Sequence, residues 1–154
     1  MVIRPAEQRD IPALIRLLYQ VGEVHHQIRP DIFRSGALKY TASELEVILT
    51  DSTRPIFVAA EDDVLGYCFC KIRCTSGSTV LADRKELYID DLCIEEACRG
   101  QHVGKALYDH ACEYARSIGC EYITLNVWCG NDSAMAFYEH RGLTPRNIMM
   151  ERKL

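Results

Sequence analysis

The chain has 154 residues, 48% of them hydrophobic and 26% charged, with a formal net charge of -4. That size points to one domain over residues 1–154 with its own core and no need of disulfide staples. The acidic balance excludes nucleic acid as a default partner, and no apolar run approaches the roughly 20 residues that span a bilayer.

"VIRPA" reads as a short strand ending near Pro5. Asp10 is placed to cap a helix with Pro12 in its first turn, and Leu14, Ile15, Leu17, Leu18 and Val21 supply an apolar face at helical spacing. "HHQIRPDIF" reads as an irregular connection around Pro30, followed by a helix through "ASELEVIL" with Ser43 as its cap. "PIFVAA" and "VLGYCFCKIRC", joined by the turn residues of "EDDVLG", form a hairpin. After the loop "TSGSTVLADRK" comes the strand "ELYIDDLCI", interrupted by two acids. A helix over 103–117 presents Val103, Leu107, Ala111, Tyr114 and Ile118 on one face and stops at Gly119. "EYITLNVW" is a strand, Asn131 or Asp132 caps a helix ending at Gly142, and "RNIMMERKL" is a final strand. The order β-α-α-β-β-β-α-β-α-β predicts an α/β (α+β) protein, a mixed sheet with helices on both faces.

Eight cysteines are many for this length, but their spacings contain no CxxC pair. They read as small buried hydrophobes in a reducing compartment rather than as a metal site or a disulfide framework. The N-terminal stretch "MVIRPAEQRD" lacks the layout of an export signal, so the expected location is the cytoplasm. Charge is unevenly spread: between Asp51 and Ala97 there are five Lys/Arg against ten Asp/Glu. An acidic surface and an amine acceptor both fit that bias.

The stretch "CRGQHVGKAL", Cys98 to Leu107, sets two glycines just before a helix. A helix start offers unsatisfied backbone N–H groups and a partial positive charge, and glycines clear the approach. That combination suits a pyrophosphate, with Arg99 and Lys105 adding charge nearby. No GKS or GKT follows, so the loop is not a Walker A sequence.

"RGQHVGKA" resembles the acyl-CoA-binding signature of the GCN5-related N-acetyltransferases (GNAT), Q/R-x-x-G-x-G/A, with Gln101, Gly104 and Ala106 in its positions. Downstream, "LNVWCGNDSAMAFYEHRGL" resembles a second block of that family through Asn131, Ala134, Phe137, Tyr138 and Gly142. The resemblance implies a central, mostly antiparallel sheet flanked by helices and acetyl-CoA as the bound cofactor. Backbone amides of Gly100, Gln101, His102, Val103, Gly104, Lys105 and Ala106 would hold the pyrophosphate, beside Arg99. The strand residues Leu92, Cys93 and Ile94 would run along the pantetheine arm, and Ala134, Phe137 and Asn131 would complete the cofactor site.

An alkylamine attacks a thioester only as the free base, so its proton needs an acceptor, and the leaving thiolate needs a donor. Tyr138 matches the family tyrosine that faces the sulfur, which implies a general acid. "YIDDLCI" resembles the "YLED" stretch of spermidine/spermine acetyltransferases, which carries the base role onto Asp90. Strand alternation turns Asp91 to the other face unless a bulge intervenes. The acceptor would lie over the first two helices and the connection after them, with His26, Asp90 and Asp91 as substrate-side groups. The implied activity is acetyl transfer to a primary amine of a small molecule, a protein N-terminus or a lysine. A non-catalytic acetyl-CoA-binding module is the competing reading. No metal is expected, and the small size of the family's members extends to this chain the expectation of a homodimer.

Overall fold

Two long antiparallel strands, β3 (Val64–Thr75) and β4 (Arg84–Ile94), form the centre of a five-stranded sheet in a computed structural model that describes residues 1–154. The β-branched and aromatic content of these runs suits a pleated surface buried on both sides. β2 (Ile56–Ala60) pairs with β3, and β1 (Val2–Pro5) closes that edge, both antiparallel. β5 (Tyr122–Leu125) lies parallel to β4 and forms the other edge, giving the order β1-β2-β3-β4-β5. The mixed, mostly antiparallel sheet expected from the sequence is what forms.

Alternation along the strands divides the core in two. On one face α1 (Ile11–Ile28) and α2 (Ala42–Leu49) bury Leu14, Leu17, Leu18, Leu45 and Ile48 against Ile56, Val58, Tyr67 and Phe69. On the other, α3 (Val103–Ser117) buries Val103, Leu107, Ala111 and Ala115 against Phe57, Ala59, Cys68, Cys70, Leu87 and Ile89. The buried face of α3 takes Tyr108 and Ala115 rather than the predicted Ile118. α4 (Asp132–Glu139) packs beside α3 through Phe137 and Tyr138. No helix is long and apolar enough to cross a membrane. All eight cysteines are free, but only Cys68, Cys70 and Cys93 are buried, so the small-hydrophobe reading holds for those three.

Four local expectations are corrected. Asp10 does not cap α1 with its side chain; its carboxylate closes a capping box on a preceding 3-10 turn and takes two hydrogen bonds from Arg4, at 2.7 and 2.9 Å. α1 continues through His25 and His26 to Ile28 and yields only at Arg29, where Pro30 disfavours helical backbone. The cap of α2 is Thr41, not Ser43: Thr41 and Glu44 form the reciprocal box that the T-x-x-E spacing permits. Finally, "RNIMMERKL" is not a strand. α4 ends at Glu139 and a turn leads to Gly142; beyond Leu143 no backbone group bonds to another backbone group.

Gly66 lies opposite Ile94 in the β3–β4 ladder and is crowded by β4. A methyl group there would stand 2.8 Å from the Cys93 carbonyl oxygen and 2.7 Å from Ile94 Cδ1. The carbonyl belongs to the ladder and cannot yield cheaply. Gly66→Ala should therefore lower stability by about 1–3 kcal/mol, read as a lower denaturant midpoint at unchanged slope.

Candidate active site

β4 carries one more residue than β3 can pair. Phe69 faces Asp91 and Cys70 faces Ile89, so Asp90 is the extra residue of a β-bulge. The bulge breaks strict alternation and sends consecutive acids toward the α1/α2 face. It also marks where the sheet opens, because the last paired residues of β4 and β5 are Ile89 and Leu125. From Asp90 onward the outer edge of β4 has no strand beside it.

The opening is continued by the loop before α3. Gly100 and His102 both adopt left-handed backbone, with φ of 77° and 62°. For histidine that conformation costs of order 1 kcal/mol, and it turns successive N–H groups to one side as an anion-binding nest. The N–H groups of residues 100–105 find no backbone acceptor in the chain. Ala106 is the exception among the residues expected to bind pyrophosphate: its N–H donates to the His102 carbonyl at 3.0 Å and serves the helix instead. Gln101 turns its amide back to the Ala97 carbonyl, at 3.1 Å.

These features border a cleft of about 490 Å³ between β4, the start of α3 and α4. Leu92, Cys93, Ile94, Arg99, Gly100, His102, Val103, Gly104, Lys105, Asn131, Ala134, Phe137 and Tyr138 line it. Of the residues expected at the cofactor, only Gln101 and Ala106 do not. Asn131 caps α4 by accepting from the Ala134 N–H at 3.3 Å. Gly104 leaves ordinary contact distance for one methyl, 3.5 Å from Ile94 and 3.7 Å from Phe137. A phosphate-bearing arm on a thioester fits this set: free amides at one end, a cation in Arg99, and an apolar trough along Leu92 and Ile94.

The acids occupy different electrostatic states. Asp90 meets Lys71 at 2.9 Å, Lys39 at 3.0 Å and the Tyr40 hydroxyl at 2.9 Å. Burial pushes its carboxyl up, but the two lysines and Tyr40 outweigh that and pull it down to about 2. Asp91 is buried, accepts from the Tyr67 hydroxyl at 3.2 Å, and has Lys39 only at 4.0 Å. Burial lifts its pKa against the opposing pull of Lys39 and His25. His25 is held below the ordinary imidazole value by burial, with Lys39 acting the same way and Asp91 against it.

His26, expected on the substrate side, is instead tied to the Phe33 carbonyl through Nδ1 at 2.7 Å. Its neighbour His25 lies against Phe33, tilted, at 4.9 Å, and Phe33 meets Trp128 edge-on at 5.0 Å. The extension of α1 by one turn decides which histidine faces inward. The sequence reading also missed Lys39, Tyr40 and Lys71 around Asp90, which come from separate segments and carry no local signal. It missed Arg141, which lines the cleft and lies over the Phe137 ring at 4.9 Å. Its spacing of three residues after Tyr138 on a helical path was the available hint.

Tyr138 borders the cleft on one side and a larger groove beside β5 on the other. Its ring packs on Phe137 at 5.1 Å, and burial raises its pKa well above the usual phenol range, so it stays protonated at neutral pH.

An open sheet edge, an amide nest at a helix start and a half-buried phenol between them describe an acyl-CoA transferase. Residues 22–143 match the acetyltransferase (GNAT) family, and the chain belongs to it. It is 31% identical over 74 residues to the N-acetyltransferase YdgE of Bacillus subtilis (strain 168), a stretch covering 48% of this chain and 47% of YdgE. The chain thus aligns with about half the length of that curated relative. The crystal structure of a single-site mutant of the BH1408 protein from Bacillus halodurans superposes with a TM-score of 0.95 at 29% identity, covering 100% of this chain and 99% of that one. An aminoglycoside acetyltransferase from an uncultured soil metagenomic sample, solved with sisomicin, shares the fold at a TM-score of 0.74 and 17% identity, over 99% of this chain and 95% of its own. These matches carry the acetyltransferase family and not the spermidine/spermine likeness of the "YIDD" stretch.

The Asp90 cluster predicts an acid-limb signature. A carboxyl depressed in the fold contributes stability above its unfolded pKa and loses it as pH falls through the folded value. For Asp90 that window runs from about 4 down to about 2. Asp90→Asn should flatten this part of the stability–pH curve, measured by urea unfolding at a series of pH values.

Proposed function

We propose that the protein is an acetyl-CoA-dependent N-acetyltransferase acting on a primary amine by direct attack. The observation that carries this reading is the row of free N–H groups at residues 100–105, opening onto a cleft that ends at Tyr138. Acetyl-CoA, bound there, supplies the electrophilic thioester carbonyl. The amides of Gly100 to Lys105 and the Arg99 guanidinium hold the anionic end. The exposed edge of β4 at Leu92–Ile94 aligns the arm and offers backbone N–H to the developing oxyanion. A binding module would need only the loop; a protonated phenol at the far end of the cleft favours catalysis.

Proton handling divides between opposite sides of the sheet. Tyr138 donates to the departing sulfur. On the acceptor side we assign the base to Asp91 rather than Asp90. A carboxylate at about 2, clasped by two lysines, is a weak proton acceptor. Asp91 is lifted by burial above the ordinary carboxylate value, and His25 lies within its field. Lys39 and Lys71 then act to hold Asp90 and leave Asp91 less compensated. The acceptor amine would enter over His25, Phe33 and Trp128.

Asp91→Asn should lower kcat/KM near neutral pH and recover as the pH approaches the amine's own pKa, whereas Asp90→Asn keeps the shape of the profile. The reverse pattern returns the base to Asp90. Tyr138→Phe should leave acetyl-CoA affinity intact and lower kcat by about 10²-fold, provided steady-state kinetics show chemistry to be rate-limiting.

The phosphate end is tested separately. Gly104→Glu places a carboxylate against the nest and should weaken CoA binding at least tenfold by calorimetry, while Gly104→Ala, which meets only ordinary contacts, should be far milder. Equal affinities for Gly104→Glu and the wild-type protein would remove the phosphate-site reading.

A further inference from the structure

One cation on the acceptor side of the sheet has no acid of its own. Arg73 stands on β3 directly opposite Glu86 of β4. That carboxylate is already held by Arg84 at 2.9 Å and by Arg146 at 3.2 Å. Lys39 and Lys71 are likewise engaged by Asp90, at 3.0 and 2.9 Å. Arg73 is exposed and lies instead over the ring of Tyr88, its guanidinium carbon 3.3 Å from the ring centre. A guanidinium on an aromatic face is held by the ring's negative charge and keeps its fork of N–H donors for an oxyanion.

This cation is connected to the reaction site. Cys68, Cys70, Leu87 and Ile89 pack under α3, so alternation turns Lys71, Arg73 and Tyr88 to the opposite face, that of the acids. The Tyr88 hydroxyl accepts from Asn126 Nδ2 at 3.1 Å and keeps its own hydrogen to donate. Asn126 is the first residue past the β4–β5 pairing, which ends at Ile89 and Leu125. A line of contacts therefore leads from the mouth of the opening through Asn126 and Tyr88 to Arg73, and all three line one groove of about 1080 Å³. In the ladder Phe69 faces Asp91 and Lys71 faces Tyr88, so Asp91 and Tyr88 are two β3 residues apart, about 7 Å.

We infer, resting on the acetyl-transfer reading above, that the acceptor is a small primary amine that also carries an oxyanion, a carboxylate or a phosphate, and that Arg73 on Tyr88 binds that group. The amine end lies at Asp91. The anionic end meets the guanidinium about 7 Å further along the strands, and the Tyr88 hydroxyl and the Asn126 amide flank the path between them. The chain as a whole is acidic, at -4, which by itself would favour a cationic acceptor. Along this groove the balance is reversed. Two arginines share Glu86 and a third has no acid, so an anion on the acceptor completes a pairing that the protein leaves open. A second ammonium on the acceptor would instead stand against uncompensated positive charge, and the site rejects diamines for that reason.

The test compares four acceptors of similar length: ε-aminocaproate, its neutral amide, ω-aminopentyl phosphate and cadaverine. For the wild-type protein, Arg73→Gln and Arg73→Lys, kcat/KM is measured by acetyl-CoA turnover, and the affinity of each acceptor for the CoA-bound protein by calorimetry. Circular dichroism confirms that the variants are folded. The wild-type protein should favour an anionic acceptor over the amide at least about tenfold, with cadaverine the poorest; the better of carboxylate and phosphate identifies the group. Arg73→Gln should abolish the preference, and Arg73→Lys should restore part of it. A purely structural stack of Arg73 on Tyr88 would lower all four acceptors alike and leave the preference in place, which overturns the inference. So do equal values for the anionic acceptors and the amide in both measurements. Turnover that ignores the anion sinks this inference and leaves acetyl transfer standing, whereas Arg73-dependent binding of the anionic amines without transfer to any amine does the reverse.

Discussion

A single extra residue in β4 organises this molecule. Without the bulge at Asp90, alternation would send Asp90 and Asp91 to opposite faces, and pairing with β5 could continue to Ile94. With it, both acids lie on the α1/α2 face and the sheet opens at the same level. The opening creates the trough, and the trough receives the start of α3 and the side of α4. Bulges re-aim side chains and end pairing; here one does both in the same step. The close approach at Gly66 then fixes β3 against the free part of β4, so the exposed edge keeps its shape although nothing supports its other side.

The acid pair shows how neighbours make chemically identical groups unlike. Lys39 reaches both carboxylates but at unequal distances, and Lys71 reaches only Asp90. One acid is thereby held well below the ordinary carboxylate range while burial raises the other. His25, which lies within the field of Asp91, joins Phe33 and Trp128 in a contiguous aromatic group.

Much of this was legible in the chain. The glycine loop and the boundaries of α3 follow from capping and periodicity, and most of the residues that line the cleft lie in two sequence blocks. What was not legible depended on contacts between distant segments. "DD" in a strand signals an irregularity but not which acid is paired, because Lys39, Tyr40 and Lys71 are brought there by the fold. "HH" cannot disclose which ring faces inward until the length of α1 is known, and that length depends on the stop at Pro30. "RNIMMERKL" has the composition of a strand, but composition does not say whether a backbone lies within reach, and no backbone group beyond Leu143 finds a backbone partner. Ala106 fits the family signature in type, yet its amide is consumed by the first bond of the helix.

α4 contributes no fully buried residue, unlike the three longer or better-covered helices. It is held by half-buried Phe137 and Tyr138 and by a single asparagine cap. Elements with few buried contacts occupy the low end of a protein's range of local opening energies. The phenol therefore rides on the one helix without a fully buried residue, while the acids sit on the long central strand β4. A ligand bridging the start of α3, the edge of β4 and the side of α4 would draw the loosest element onto the firmest, and its binding energy would appear in part as order gained at α4.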